Sequence, residues 1–103
     1  MKVVWVPEAR ASMLQVARYI NAKFGHKGLM DFRQRVKEAE KLIQSGPSVG
    51  YIDPLFEDRP LTYRSVIVNR WSKLVYRVEK KTIYIVAFWD GRRDTKALAN
   101  NVD

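Results

Sequence analysis

Apolar positions repeat with a helical period in the first half of the chain and with a period of two in most of the second. Residues 2–6, Lys-Val-Val-Trp-Val, are β-branched and aromatic and stop at Pro7, which predicts a short first strand. Pro7 and Glu8 suit the first turn of a helix: proline lacks an N–H that would go unused there, and the acid meets the positive end of the helix dipole. Ala9, Met13, Val16, Ala17, Ile20 and Phe24 then form one apolar stripe, predicting a helix over 8–24. Leu29, Phe32, Val36, Ala39 and Ile43 form a second stripe, widened by Leu42, and predict a helix over 29–45 that Ser45-Gly46-Pro47 ends. The connector Gly25-His26-Lys27-Gly28 is short, so the two helices form an antiparallel hairpin.

Residues 46–62 hold Pro47, Pro54 and Pro60 and form the longest irregular stretch, with room for a short extra helix or strand that the sequence leaves open. From residue 63 three strands follow, 63–68, 71–78 and 82–89, joined by turns at Asn69 and at Glu79-Lys80-Lys81. The third strand is apolar on both faces and belongs inside the sheet, with the first strand of the chain beside it. The expected fold is α+β, one domain over residues 1–103. It comprises an N-terminal strand, the helical hairpin, and a three-stranded antiparallel meander completing a four-stranded curved sheet. Two helices cover only one face of such a sheet. Leu74, Tyr76 and Val78 share one face of the middle strand, and Trp71, Lys73, Val75 and Arg77 share the other. Because buried unpaired charge is costly, Lys73, Arg77 and Arg64 are assigned to the uncovered face. The tail from Arg92 has room for a helical turn around Lys96–Ala99.

Charge sharpens this picture. The formal net charge is +8, and it is concentrated in residues 59–96. There Arg59, Arg64, Arg70, Lys73, Arg77, Lys80, Lys81, Arg92, Arg93 and Lys96 face only Glu79, Asp90 and Asp94. Such a segment suits an anionic partner, either nucleic acid or an acidic protein. The chain has no cysteine and one histidine, which excludes disulfides and thiolate metal sites, and neither a metal nor a cofactor is expected. No apolar run approaches the roughly 20 residues of a membrane span, and the N-terminus lacks a signal peptide's apolar segment, so a cytoplasmic protein with no membrane partner is expected.

No glycine-rich phosphate loop, H-E-x-x-H, G-x-S-x-G or paired-carboxylate arrangement occurs. Lys73, Arg77, Arg92 and Arg93 form the one combination able to orient a backbone phosphate and stabilise charge at phosphorus as a 2′-hydroxyl attacks. That chemistry also needs a proton acceptor and a donor. His26 lies in the helix–helix turn, and Tyr63, Tyr76 and Tyr84 read equally well as core residues. Trp5 reads as core. Trp71 beside Arg70, and Trp89 beside Asp90-Gly91-Arg92-Arg93, suit a protein interface better than base stacking.

The chain resembles toxins of the RelE/ParE superfamily from bacterial type II toxin–antitoxin systems over nearly its whole length. The resemblance rests on Pro7-Glu8-Ala9 after the first strand, Val16-Ala17-Arg18-Tyr19-Ile20, the Phe32 helix, Gly46-Pro47 with Gly50, and Tyr63-Arg64-Ser65. Its most specific marks are Lys73-Leu74-Val75-Tyr76-Arg77-Val78, and Ile83 to Trp89 followed by Asp90-Gly91-Arg92-Arg93-Asp94. It implies a small acidic antitoxin whose disordered segment wraps the toxin. RelE-like members cut messenger RNA in the ribosomal A site, whereas ParE-like members inhibit DNA gyrase without being nucleases. In the cleaving branch Lys73 matches the basic position of the middle meander strand, Arg92 and Arg93 match the basic position after the last strand, and Arg64 matches that of the first meander strand. The segment Thr95–Asp103 lacks the tyrosine or histidine often found there in the cleaving branch, and Asp90 stands where many relatives have histidine. Both departures favour the ParE-like side. The implied function is a gyrase inhibitor neutralised by its antitoxin. The alternatives are a ribosome-dependent endoribonuclease using Lys73, Arg92 and Arg93, and a non-toxic RNA-binding or scaffold domain. The implied partner surface comprises Arg64, Arg70, Trp71, Lys73, Arg77, Trp89, Arg92 and Arg93.

Overall fold

A computed structural model describes residues 1–91. Arg92, Arg93 and the turn expected around Lys96–Ala99 lie outside the described residues. The element order is β1 (Lys2–Trp5), α1 (Pro7–Ser45), β2 (Tyr51–Ile52), a turn of 3-10 helix (Pro54–Phe56), β3 (Arg64–Ile67), β4 (Ser72–Glu79) and β5 (Thr82–Asp90). The α+β order matches the expectation from pattern, but the sheet has five strands, not four, in the order β1-β5-β4-β3-β2. The fifth is β2, which the proline-rich stretch contributes as an antiparallel edge beside β3. β1 lies parallel to β5 and covers its apolar edge, as expected.

The helical run α1 leaves helical geometry at one residue, Gly25, with φ 78° and ψ −171°. Only glycine enters that region without strain. A straight helix of 39 residues would span about 58 Å, yet the longest dimension of the molecule is 40 Å. The run therefore folds back at Gly25. Its ends confirm the reversal: Trp5 Nε1 donates to Glu40 at 2.5 Å, and Gln44 Nε2 donates to the Met1 carbonyl at 2.9 Å. The expected hairpin is present, with a one-residue break in place of a four-residue connector.

Both helical arms bury their stripes against one sheet face. Val16 and Ala17 from the first arm, and Phe32, Val36 and Ile43 from the second, pack on Leu74, Tyr76, Ile83, Ile85 and Phe88. Phe32 meets Phe88 edge-on at 5.7 Å, the geometry that aromatic quadrupoles favour. Two stripe residues do not join this core: Phe24 and Leu42 are exposed. The Tyr76 hydroxyl donates to the Pro47 carbonyl at 2.6 Å and accepts from the Gly50 N–H at 3.0 Å, pinning the chain where it leaves α1. A Cβ at residue 50 would stand 2.7 Å from that hydroxyl, so glycine is required by the close approach.

A bulge sets the phase of β5. Val75 pairs with Ala87 but the next residue, Tyr76, pairs with Ile85, leaving Val86 without a cross-strand partner. Strict alternation would turn Trp89 to the same side as Ile83 and Ile85. The extra residue instead brings Phe88 to the helices and sends Trp89 to the opposite face, opposite Lys73.

That opposite face is not bare, which corrects the uncovered concavity expected from the helix count. Residues 53–63 cross it as a strap, and Phe56 and Tyr63 bury themselves there against Val75 and Ala87. Trp89, Val86 and Leu55 pack around this smaller cluster.

Candidate partner surface

Lys73 and Arg77 lie on the strap side of β4, as their spacing predicts, but neither is a bare cation. Lys73 Nζ is 2.6 Å from Asp53 Oδ2 and 5.4 Å from the centroid of the Trp89 ring. Asp53 caps the 3-10 turn by accepting from the Leu55 N–H at 3.0 Å, and it accepts from Ser65 Oγ at 2.6 Å. Its residue is 3% exposed and the Lys73 side chain 14%. Burial acts to raise the Asp53 pKa. The hydrogen bonds from Lys73, Ser65 and the Leu55 N–H, with the Lys73 charge, outweigh it and hold the carboxyl below the ordinary range. Arg77 stacks on Tyr84 at 4.7 Å and pairs with Glu79.

Arg64 is on the other face, a correction to its expected position. Val66 pairs with Leu74 and Arg64 with Tyr76, so burying Val66 against the helices turns Arg64 to the helix side as well. It avoids unpaired burial by reaching from β3 to the segment that leads into the edge strand β2, where Nη1 donates to the carbonyls of Gly50 at 2.8 Å and Ser48 at 3.3 Å. Its charge opposes the effect of burial on Tyr76, as does the Gly50 N–H. Burial prevails and raises the Tyr76 pKa.

Arg70 and Trp71 form a third location. Asn69 Oδ1 accepts from the N–H groups of Trp71 and Ser72 at 2.8 and 2.9 Å, which builds the β3–β4 turn. Trp71 thereby lines a cavity with Ile20, Phe24 and Phe32 of the helical arms. Arg70 stacks on its ring at 4.9 Å.

The eight residues assigned to one surface thus divide. Lys73, Arg77 and Trp89 share the strap face, Arg70 and Trp71 meet the hairpin tip, Arg64 lies on the helix side of β3 beside the edge strand, and Arg92 and Arg93 lie outside the described residues. The tyrosines among the proton-transfer candidates are absorbed by structure, and His26 is remote from the sheet cations. Tyr63 is buried in the strap cluster, Tyr76 is engaged by backbone, Tyr84 lies under Arg77, and His26 is exposed one residue past the hairpin break. Sequence reasoning missed Asp53 and Ser65. The available signals were an Asp-Pro helix-start pair inside a loop and a small polar residue in an apolar strand.

No family model and no curated protein matches the chain. Solved structures do. A toxin-antitoxin structure described as the chromosomal ParDE TA system from P. aeruginosa superposes with a TM-score of 0.70 at 22% identity, over 87% of this chain and 95% of that one. The YoeB/ParE toxin from Agrobacterium tumefaciens gives 0.60 at 16% identity, over 87% and 98%. The YoeB dimer from Staphylococcus aureus gives 0.59 at 19% identity, over 86% and 94%. The chain therefore has the fold of these ParE and YoeB structures. No helix among the described residues is long and apolar enough to cross a membrane.

Proposed function

We propose that this protein is the toxin of a toxin–antitoxin pair, that it acts as a ParE-like inhibitor of DNA gyrase without breaking a bond, and that a small acidic antitoxin neutralises it in the cytoplasm. The toxin role is supported by the fold. The choice between branches is carried by one observation, the buried ion pair of Lys73 with Asp53. A cation that stabilises charge on an attacked phosphate must be free to meet it. Here the ammonium is committed to a carboxylate of its own chain, and Arg64 lies on the opposite face of the sheet. Of the candidate cleavage cations within the described residues, Lys73 and Arg77 share a face but each is paired with an acid of its own chain, and Arg64 is apart from them. Arg70, Trp71, Arg77 and Trp89 remain as contact residues for target or antitoxin, together with Arg92 and Arg93.

Purified protein in a gyrase supercoiling assay, alongside transcript mapping after expression in cells, tests the reading. Inhibited supercoiling with intact transcripts is the expected result. Supercoiling unchanged at saturating protein overturns it. Cleavage within translated codons that is lost in Lys73→Ala would establish the endoribonuclease reading in its place.

A further inference from the structure

Trp71, one of the contact residues kept above, lines a cavity between the hairpin tip and the β3–β4 turn. It measures about 300 Å³, and its walls are Ile20, Phe24, Phe32 and Trp71. Phe24 is 60% exposed and Trp71 46%, although both are large apolar side chains. Ser72 also lines it, and that residue is 3% exposed. Its Oγ is buried and has no hydrogen-bond partner among the described residues. A buried hydroxyl left this way costs free energy that a ligand atom would recover. Asp90, the cross-strand neighbour of Ser72, is itself engaged.

The rim is cationic. Lys23 stands over the rings of Tyr19 and Phe24 at 5.6 and 5.9 Å, Arg70 over Trp71 at 4.9 Å, and Arg35 lines the opening beside a single acid, Asp31. A nucleobase would stack on open aromatic faces, but the protein's own cations cover one face of each exposed ring. What remains is a slot with aromatic and aliphatic walls, the polar residues Ser72, Asn69, Asp31 and Arg35 in its lining, and positive charge around it.

We infer that this groove is a docking site for an acidic peptide segment of a partner protein, which inserts one tyrosine ring so that its hydroxyl meets Ser72 Oγ while flanking carboxylates meet Lys23, Arg35 and Arg70. An apolar ring with a polar tip is the side-chain class that satisfies both the walls and the hydroxyl. The inference rests on the toxin–antitoxin reading only for the existence of an acidic partner. It places that partner's anchor on the helix side of the sheet.

The test uses the full chain and a blocked synthetic peptide, Glu-Glu-Leu-Tyr-Leu-Glu-Glu, with amide shifts in 15N spectra as the readout. Shifts confined to the neighbourhood of Ile20, Phe24, Phe32 and Ser72 are expected. Ser72→Ala should weaken this peptide about 3–10-fold and leave the affinity of its phenylalanine counterpart unchanged. Phe24→Ala, at an exposed position that folding does not need, should weaken both. No groove shifts at millimolar peptide, or equal loss of both peptides in Ser72→Ala, overturns the inference. So does a single-stranded oligonucleotide that moves the same amides more tightly. Growth arrest on expression tests the toxin reading without reference to the groove. Arrest with no groove binding removes this inference alone, and groove binding with no arrest removes the toxin reading alone.

Discussion

Replacing Asp53 by Asn tests whether Lys73 is held by an ion pair or merely lies near one. The substitution keeps the shape and an oxygen that can accept from the Leu55 N–H, but puts an amide nitrogen where Oδ2 accepts from Ser65 and removes the charge that faces Lys73 at 2.6 Å. Breaking a buried pair by neutralising one partner typically costs about 3–5 kcal/mol. The Lys73 side chain retains 14% exposure and the amide oxygen keeps the bond from the Leu55 N–H, so the expected loss is at the lower end, about 3 kcal/mol. With a urea m-value of about 1.3 kcal/mol/M for a small domain, the unfolding midpoint falls by roughly 2 M. Lys73→Met alone should cost a similar amount, because Asp53 is then buried unpaired. The double variant should recover most of the loss, since the methionine fills the space of the lysine stem. The cycle should give a coupling of about 4 kcal/mol, because the two single losses together far exceed that of the double variant. A coupling below about 0.5 kcal/mol would refute the ion pair and reopen Lys73 as a free cation.

Acid adds an independent check on the same pair. The folded-state pKa of Asp53 lies below its unfolded value. Its stabilisation is therefore complete above the unfolded carboxylate pKa of about 4 and is lost as pH falls through the folded value. The stability gap between wild type and Asp53→Asn should hold from pH 7 to 5 and shrink on further acidification. A gap that persists undiminished at pH 2 would contradict the assignment.

Tyr76→Phe should lower stability by about 1–3 kcal/mol, because it strands the Pro47 carbonyl and the Gly50 N–H; equilibrium urea unfolding measures it. The raised Tyr76 pKa also means that its contribution is present below the unfolded phenol pKa of about 10 and lost as pH rises through the folded value, so the phenylalanine variant should lack that alkaline loss. Gly25→Ala should cost about 1–3 kcal/mol, since φ 78° with ψ −171° admits essentially only glycine; thermal unfolding reads the shift. Lys80 holds φ 55° in the β4–β5 turn, so Lys80→Gly should stabilise the protein by about 0.5–1 kcal/mol in the same assay.

The stripes at Val16-Ala17-Ile20 and Phe32-Val36-Ala39-Ile43, and the period of two after Tyr63, carried the hairpin and meander in the sequence, because they record which side faces the core. What the period could not carry was its own interruption. One unpaired residue, Val86, reverses the facing of everything after it, and nothing in an all-apolar run of Ile83 to Trp89 marks where the slip falls. Arg64 illustrates the opposite error. Its side of the strand followed from Val66 and Val68, but the cost of burying charge was given more weight than the freedom of a long side chain beside the edge strand to reach the carbonyls of Ser48 and Gly50. The strap was illegible for a different reason. Phe56 sits among prolines and acids with no periodicity around it, so its burial against Val75 and Ala87 depends on contacts distant in sequence. The residues of the candidate surface were each visible as cations or tryptophans, but their division between two faces required the pairing register.

That division bears on whether the basic half of the chain serves nucleic acid at all. Of its described cations, Arg59 pairs with Asp58, Lys73 with Asp53 and Arg77 with Glu79, while Arg64 is held by carbonyl oxygens. The remainder are Arg70 at one end of β4 and Lys80 and Lys81 at the other. The eight residues of β4 separate the two ends by roughly 26 Å, well beyond the screening length of about 8 Å at physiological salt. They cannot act as one patch on a short strand. Each phosphate neutralised on single-stranded nucleic acid contributes about −0.7 to the slope of log K against log salt. Two or three contacts from these described cations give a slope near −2, whereas a continuous basic face engaging seven would give about −5. A titration of a short single-stranded RNA across 50–200 mM salt distinguishes these. A slope near −2 is the expectation for a protein-directed surface, and one steeper than about −4 would mean that the ion pairs open for RNA and that the RNA-binding alternative describes this protein better.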